Sequence, residues 1–351
     1  MTPLTEILLA QIARSGPITV AEYITQCLLH PKHGYYTTHQ PLGQAGDFVT
    51  APEIIQMFGE MIGLCLAQAW MDQAAPARFT LAELGPGRGT LMADMLRATK
   101  GIAGFHAAAD IVLVEASPSL QSQQTQTLDG YDVQWANTVT ELPEQPLFLV
   151  ANEFFDCLPI SQFIRTSHGW QEQMIGANDG TLGFILAAHT PTSVFSEAPL
   201  GTVLEVCPSA VAITADIARI IGENGGAAII LDYGDWVPTG DTLQAVQNHK
   251  KVDPLHDCGA SDLTAHVNFH SLSEAAKPFA QVSGLTAQGI LLECLGITAR
   301  AQTLAAQLHG EALENHIAAH RRLTHPDEMG QLFKAIAITP NGATHPAGFE
   351  T

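Results

Sequence analysis

The sequence predicts an α/β fold in which crossover helices cover a parallel sheet. From Phe79 onward, short apolar segments (FTLAEL, IVLVEA, VQWANTV and LFLVANE) alternate with stretches of helical spacing, a pattern typical of βαβ units. This rhythm breaks between Ile160 and about Val206, where strand-like segments flank the turn Asn178-Asp179-Gly180 and indicate antiparallel pairing. We therefore expect one α/β core with an N-terminal helical cover and an inserted antiparallel segment.

The chain before the first predicted strand reads as helices separated by one long loop. Residues 4–13 and 19–29 have helical apolar spacing, and Gly16-Pro17 separates them. A loop rich in Pro, Gly, His and Tyr occupies 30–52. The loop's length predicts a functional role, and a helix is expected to follow it, to about Met71.

After the inserted segment the α/β pattern resumes. A helix is expected at 209–222 and a strand at AAIILDYG, followed by a polar loop, the strand-like TAHVNF and helices to about Ala337. The expected division is a helical and loop cover at 1–75 and a core at 76–340, with the insertion at 160–206 and C-terminal helices at 300–340.

Composition and charge exclude several classes of protein. The chain has 351 residues, with 15 Lys and Arg against 35 Asp and Glu, so its formal net charge is −20. Such a charge disfavours nucleic acid and anionic lipid as partners, and no apolar stretch approaches the ~20 residues of a membrane span. Six cysteines without a CxxC pair predict reduced thiols. No targeting segment is recognised at the N-terminus, so a cytoplasmic location is expected.

The most informative motif is the glycine loop ELGPGRGT, which leaves the first predicted strand and enters a helix. Glycines permit the tight turn and close approach of a ligand, and a helix N-terminus offers free N–H groups. The glycines Gly85, Gly87 and Gly89 form GxGxG, with Glu83 two residues before the first. A dinucleotide-binding loop would place its third glycine at Thr90. The observed variant resembles the cofactor loop of class I methyltransferases.

A second acid is expected at the end of the next strand, where it would hold ribose hydroxyls. Glu115 ends IVLVE and occupies this place. Together with the glycine loop, it predicts a site for a nucleoside-type cofactor.

A third group of polar residues follows the strand LFLVAN. Asn152, Glu153 and Asp156 leave this strand, and Phe154 and Phe155 lie between the two acids. Ligands of open α/β sheets bind beyond the carboxyl ends of the strands, and two carboxylates suit a guanidinium, a planar fork of donors. A helix N-cap with a first-turn acid explains the spacing equally well, so both interpretations stay open on spacing alone.

These motifs lie among longer blocks that resemble the MidA-type family of S-adenosylmethionine-dependent methyltransferases. The matching blocks are GPITVAEYITQCLLHPKHGYY, GDFVTAPEIIQMFGE, ELGPGRGTLMADMLR, NEFFDCLPI, LDYG, DLTAHVNF and MGQLFKAIA. The resemblance implies a class I methyltransferase (Rossmann-like) core, S-adenosyl-L-methionine as cofactor and a protein arginine as acceptor. It also implies a respiratory complex I subunit as a partner, because the mitochondrial members assist assembly of that complex.

Residue roles follow from the resemblance by position. The catalytic residues would be Glu153, Asp156 and Asn152. The cofactor-binding residues would be Glu83, Gly85, Pro86, Gly87, Gly89, Glu115, Asp47 and Asn152. His266 and Tyr233 are weaker candidates for the lining of the substrate site, and packing is the alternative for both.

Other patterns favour structural roles. His266 and His270 are four residues apart, but without an intervening Glu and in a strand-like segment, so no metal site is expected. Glu53, in a first helical turn, is interpreted as a surface acid, and Asp232 is expected on the cofactor side of the sheet. The insertion at 160–206 is a candidate surface for a homodimer or a partner.

Three other functions remain as alternatives. One is a methyltransferase acting on a small amine or guanidino compound, which the acidic residues would also suit. Another is a non-catalytic assembly factor built on a methyltransferase scaffold. An NAD-dependent dehydrogenase is disfavoured by Thr90.

Overall fold

The structure is a computed structural model, and it describes residues 1–38, 50–187, 197–247 and 250–349. The α-helices are α1 (Pro3–Ser15), α2 (Val20–Leu29), α3 (Tyr35–Thr38), α4 (Ala51–Ile54), α5 (Met57–Asp72), α6 (Thr90–Thr99), α7 (Phe105–Ala108), α8 (Pro118–Thr127), α9 (Pro208–Asn224), α10 (Phe269–Ala276), α11 (Gln288–Cys294), α12 (Ile297–Ala305) and α13 (Glu311–Thr324). The strands are β1 (Ile18–Thr19), β2 (Phe79–Leu84), β3 (Ala109–Val114), β4 (Val133–Ala136), β5 (Leu147–Asn152), β6 (Ser161–Thr166), β7 (Gly169–Asn178), β8 (Thr181–Leu186), β9 (Val203–Val206), β10 (Gly226–Asp235), β11 (Gln244–Gln247), β12 (Lys250–Val252), β13 (Asp262–Thr264), β14 (Val267–Asn268), β15 (Gln281–Val282), β16 (Thr286–Ala287) and β17 (Phe333–Thr339).

The chain divides into two compact units with interleaved segments. Unit 1 takes its residues from Met1–Phe48, Asp156–Ala210 and Val237–His266, and unit 2 from Val49–Phe155, Val211–Trp236 and Val267–Thr351. These bounds differ from the expected division at 75 and 76. The difference arises because β1 pairs with β7 of the insertion, whereas α5 packs on the helices and strands of unit 2.

Unit 2 is built on the predicted α/β sheet. Its strand order is β15-β17-β10-β5-β2-β3-β4, with β14 paired to β10 and β16 paired to β17. The run β10-β5-β2-β3-β4 is parallel, so the carboxyl ends of these strands meet at one edge of the sheet. β17 runs antiparallel to β10.

Strand β17 corrects the expectation of helices through 300–340. The residues Phe333–Thr339 form a strand whose last five positions are buried. A strand buried on both faces shows no alternation of polar and apolar residues, and a short apolar run of this kind cannot be distinguished from a buried helix by periodicity. Likewise, TAHVNF is a strand only in part, because Asn268 caps α10 by accepting the N–H of Ser271 at 3.0 Å.

Two glycines allow close packing of α5 against α6 in unit 2. A Cβ on Gly59 would lie 2.6 Å from the Cβ of Asp94, and a Cβ on Gly63 would lie 2.7 Å from the Cα of Met95. Both glycines are in α5, and both neighbours are in α6. Helix α6, which follows the glycine loop, is therefore seated directly against α5 and has little freedom to shift.

Unit 1 contains the predicted antiparallel insertion. Its larger sheet has the order β1-β7-β6-β9 with β8 paired to β7, and β12-β11-β13 form a small second sheet. β7 and β8 meet at the Asn178-Asp179-Gly180 turn as expected. Helices α1 and α2 contribute Leu8, Tyr23 and Ile24 to the core of this unit. In the part of the chain that the structure describes, no helix is both long and apolar enough to cross a membrane.

Candidate functional site

The glycine loop has the strand–turn–helix context that its sequence predicted. It connects β2 to α6, and Gly85, Gly87 and Gly89 have φ values of +57°, +52° and +83°, which glycine adopts readily. The N–H of Gly89 donates to the carbonyl of Pro86 at 2.7 Å, and the carbonyl of Gly89 accepts the N–H of Ala93 at 3.0 Å. The loop is thus a closed turn that leads directly into the helix.

Position 85 requires a glycine for two reasons, namely its positive φ and the close approach of a neighbouring aromatic ring. A Cβ on Gly85 would lie 2.8 Å from Cδ2 of Phe154. Phe154 follows β5, so the glycine loop and the acidic loop are in contact at this point. The ring of Phe154 packs on the backbone of the glycine loop.

Glu83 is a buried carboxyl at the end of β2. Burial raises its pKa to about 8, although a hydrogen bond from the backbone of Met92 opposes the shift. Its Oε2 is buried and has no hydrogen-bond partner among the described residues. Glu83 therefore retains an unsatisfied polar atom in a buried position.

Glu115 follows β3 and is linked to the glycine loop through Gln124. Its Oε1 accepts the N–H of Ser117 at 2.7 Å, and its Oε2 accepts Nε2 of Gln124 at 3.4 Å. The same Nε2 donates to the carbonyl of Gly87 at 2.8 Å. Burial raises the pKa of Glu115. The sequence did not single out Gln124, since the polar helix α8 gives no sign of which residue turns inward.

Asn152 and Glu153 end the neighbouring strand β5. The Oε1 atom of Glu153 accepts the backbone N–H of Ala51 at 2.9 Å and Nδ2 of Asn152 at 3.0 Å. Burial raises the pKa of Glu153, against the lowering effect of these two hydrogen bonds and, to a smaller extent, of the Arg322 charge. Oδ1 of Asn152 is buried without a partner among the described residues. Glu153 has a φ of +52°, which is uncommon for a residue with a side chain.

Asp232 lies in β10, beside β5, and is fully buried. Its Oδ2 accepts the backbone N–H groups of Phe154 and Phe155 at 3.1 and 2.8 Å, and its Oδ1 accepts the N–H of Tyr233 at 2.8 Å. The side chain thus holds the backbone that follows Glu153. The ring of Tyr233 lies 5.9 Å from that of Phe333.

Glu53 differs from its interpretation as a surface acid. Its Oε1 accepts the hydroxyl of Thr90 at 2.5 Å, and its Oε2 lies 3.8 Å from Nη1 of Arg88. Helix α4 therefore touches the start of α6 through Glu53 and the end of β5 through Ala51. Spacing within the chain carried no signal of this contact, because it forms between segments far apart in sequence.

The remaining predicted site residues are in unit 1 or outside the described ranges. The carbonyl of Asp156 accepts the N–H of Ala265 at 2.9 Å, and His266 donates its N–H to the hydroxyl of Thr242 at 2.9 Å. Both belong to unit 1, whereas Glu153 belongs to unit 2. Asp47 lies outside the residues that the structure describes. Within the described ranges, no three His, Cys, Asp or Glu side chains are grouped as a metal ion would require.

The acceptors at the edge of the sheet suit a cofactor that carries an ammonium group. Glu83 and Asn152 lie at the ends of the adjacent parallel strands β2 and β5, and each has a buried oxygen with no hydrogen-bond partner among the described residues. An α-ammonium group has three N–H donors and would satisfy both oxygens. S-adenosyl-L-methionine carries such a group on its methionine portion and a ribose on its adenosyl portion, so the residues present fit this cofactor.

Comparison with known proteins identifies the family. A family model described as "Putative S-adenosyl-L-methionine-dependent methyltransferase" matches residues 61–290. A relative from Xenopus tropicalis, named protein arginine methyltransferase NDUFAF7, mitochondrial, is 36% identical and covers 95% of this chain and 85% of its own length. The human protein of the same name is 33% identical, with coverage of 97% and 84%.

A solved structure agrees with the fold and the cofactor. A protein from Burkholderia thailandensis in complex with S-adenosyl-homocysteine superposes with a TM-score of 0.84 at 28% identity, over 98% of this chain and 93% of the other. This match confirms the predicted class I methyltransferase core.

The comparisons also correct one expectation. The cytoplasmic location predicted from the sequence is wrong, because the curated relatives are named as mitochondrial proteins. The prediction relied on failing to recognise a targeting segment, and such a failure carries no positive information about location.

Extensive identity and the matching family model lead to one assignment: this chain belongs to the MidA-type family of S-adenosyl-L-methionine-dependent methyltransferases.

Proposed function

We propose that this methyltransferase transfers the methyl group of S-adenosyl-L-methionine to an arginine side chain of a partner protein. The observation that carries the proposal is the environment of Glu153, which presents a carboxylate at the carboxyl end of β5 with one oxygen held by two N–H donors. The names of the relatives support arginine as the acceptor.

The cofactor would be held by residues at the ends of β2 and β3 and at the end of β5. In this proposal, the backbone of the glycine loop contacts the cofactor at Gly85, Pro86, Gly87 and Gly89. Glu115 accepts hydrogen bonds from the ribose hydroxyls. Glu83 and Asn152 accept the ammonium group. Asp47 remains a prediction from the resemblance alone.

Glu153 would act on the acceptor. Methyl transfer is a displacement in which an acceptor nitrogen forms a bond to the methyl carbon while the bond from sulfur to that carbon breaks. The cofactor, when bound, supplies the electrophilic methyl group, and the protein contributes positioning and exclusion of water. The Oε2 atom of Glu153 would accept N–H bonds from a guanidinium. It would thereby hold positive charge away from the attacking nitrogen.

The proposal rests on Glu153 and not on an acid pair. The sequence couples Glu153 with Asp156, and Asp156 belongs to unit 1. Asp156 and His266, which belong to unit 1, and Tyr233, which belongs to unit 2, remain predictions for the acceptor side. A respiratory complex I subunit is the partner that the family resemblance implies, and the net charge of −20 favours an acceptor carried on a basic segment.

An extract from cells that lack this protein tests the proposal. The extract would be incubated with the purified protein and S-adenosyl-L-methionine carrying an isotopic label in its methyl group. We expect label on one discrete protein, and about 100-fold less of it when Glu153→Gln replaces the wild type. Label confined to the small-molecule fraction would support a metabolite acceptor, and no label in any fraction would support a scaffold without activity. Either result contradicts the proposal.

A further inference from the structure

We propose that Asp232 is a positioning residue that sets the conformation of Glu153. The inference rests on the proposed function, because it assumes that Glu153 faces the acceptor. Asp232 itself does not touch the acceptor or the cofactor in this proposal. It acts through the backbone of the two residues that follow Glu153.

Three hydrogen bonds of Asp232 reach into the backbone around the site. The side chain is fully buried, and both of its oxygens accept backbone N–H groups. Oδ2 accepts the N–H groups of Phe154 and Phe155, and Oδ1 accepts the N–H of Tyr233. Hydrogen bonds from N–H groups to a carboxylate are stronger than those to a neutral acceptor. The turn after β5 is thus held by a buried charge on the neighbouring strand.

This arrangement imposes the conformation of Glu153. The N–H of Glu153 still donates to the carbonyl of Leu231 at 3.0 Å, which continues the pairing of β5 with β10. One residue further on, the N–H of Phe154 donates to Asp232 instead. The chain must therefore turn at Glu153, whose φ is +52°. A residue with a side chain holds this conformation only where the surrounding structure requires it.

The same bonds seat the ring of Phe154 against the glycine loop. A Cβ on Gly85 would lie 2.8 Å from the ring of Phe154, so the ring packs tightly against the backbone at Gly85. Asp232 therefore determines two things together: the direction of the Glu153 carboxylate and the position of the ring beside the cofactor loop.

A double-mutant cycle on the full-length protein tests the inference. In Asp232→Asn, one oxygen remains and the second position carries an amide donor, so at least one of the three N–H groups loses its acceptor. We expect the turnover number to fall about 10- to 100-fold, as for a misplaced catalytic group. The KM for S-adenosyl-L-methionine should change less than threefold, because the glycine loop is closed by its own hydrogen bonds. In a Glu153→Gln background, Asp232→Asn should cause no further loss.

A control and a second variant separate positioning from stability. Asp94→Asn also neutralises a buried carboxyl of unit 2, one bonded to Arg97, and should keep its turnover number while losing thermal stability. Asp232→Ser, which is smaller and neutral, replaces Asp232→Asn if the latter does not fold. A loss that adds fully to that of Glu153→Gln would overturn the inference, because it would mean that Asp232 acts independently of Glu153.

A structural measurement distinguishes failure of this inference from failure of the proposed function. Crystal structures of the wild type and Asp232→Asn with S-adenosyl-homocysteine require no acceptor. We expect Glu153 in the variant to leave its positive φ and lose the hydrogen bond from Ala51. Retention of both features would overturn the inference even if arginine proves to be the acceptor.

Discussion

Oε1 of Glu153 accepts the backbone N–H of Ala51 at 2.9 Å, which joins the end of β5 to the first residue of α4. Two residues further along the same short helix, Glu53 accepts the hydroxyl of Thr90 at the start of α6. Helix α4 thus contacts both the acid proposed to bind the acceptor and the helix that follows the glycine loop. The block TAPEI contributes to the site through its backbone and through one carboxylate.

The first prediction concerns the charge of Glu153. Glu153→Gln retains an oxygen that can accept the N–H of Ala51, so the local structure should persist. We expect affinity for S-adenosyl-L-methionine within about twofold of the wild type and turnover lower by about 100-fold, because the neutral amide cannot hold a guanidinium charge. Calorimetric titration of the cofactor and labelled methyl transfer measure the two quantities. Unchanged turnover would remove Glu153 from the acceptor site.

The second prediction concerns the glycine loop. Gly87 has a φ of +52°, so Gly87→Val introduces backbone strain and places a branched side chain where a ligand would approach the backbone. We expect no measurable binding of S-adenosyl-L-methionine by calorimetry. Gly130→Val is the matched control, because Gly130 has a φ of +89° with no atom within 4 Å of its Cβ position. The control should lose stability and keep its affinity, and equal affinity in both variants would refute the loop assignment.

The third prediction concerns the pH dependence of stability. Burial raises the pKa of Glu83 to about 8, so the folded protein binds a proton more tightly than the unfolded chain, whose Glu pKa is about 4.3. This contribution to stability is full below the unfolded pKa and is lost as the pH rises to about 8. We expect Glu83→Gln to remove that part of the decline in melting temperature between about pH 5 and 8. A decline of the same slope in both proteins would contradict the assigned pKa.

The fourth prediction concerns an ionic cluster that holds α5. Glu60 is buried and bonds to Arg97 and Arg300, which lie on α6 and α12. Burial alone would raise the pKa of Glu60, but the hydrogen bonds and charges of the two arginines outweigh it and hold the pKa below its usual value. The stabilisation is therefore present above the unfolded pKa and is lost as the pH falls.

Removing the Glu60 carboxylate should lower the free energy of unfolding. Glu60→Ala leaves Arg300 without its buried partner and Arg97 with Asp94 alone, and we expect a loss of about 2–3 kcal/mol in the free energy of unfolding. This is less than for a fully buried pair, since the arginines are partly exposed. Denaturation in urea measures it. Glu274→Ala, which removes an exposed ion pair with Lys277, should leave the unfolding midpoint unchanged. Equal effects in the two variants would show that the cluster contributes no more than a surface pair.

Local patterns in the sequence were sufficient to predict the central strands and the glycine loop. β2, β3 and β5 are short apolar runs bounded by turn residues, and their order along the chain specifies the parallel sheet. β17 could not be recognised in the same way, because its place beside β10 depends on pairing with residues a hundred positions earlier. Only tertiary contact distinguishes such an apolar run from a helix.

The residues of the candidate site also fall into those that the sequence predicts and those that it does not. Glu83, Glu115 and Glu153 were predicted because each lies at the end of a strand or directly after it. The carboxyl ends of parallel strands share one edge of the sheet. The roles of Gln124 and Glu53 were not predicted, because each is defined by a hydrogen bond to a residue 37 positions away in the sequence. Helical spacing and capping rules describe only neighbours within a few residues.

The chemical identity of the methylated product tests the central claim most directly. The labelled protein from the extract would be hydrolysed to amino acids, and its label would be identified by mass spectrometry. We predict methylarginine in the sample treated with wild-type protein and about 100-fold less in the sample treated with Glu153→Gln. Label recovered on lysine, or on a carboxyl group, would contradict the assignment of a guanidinium as the group that Glu153 binds.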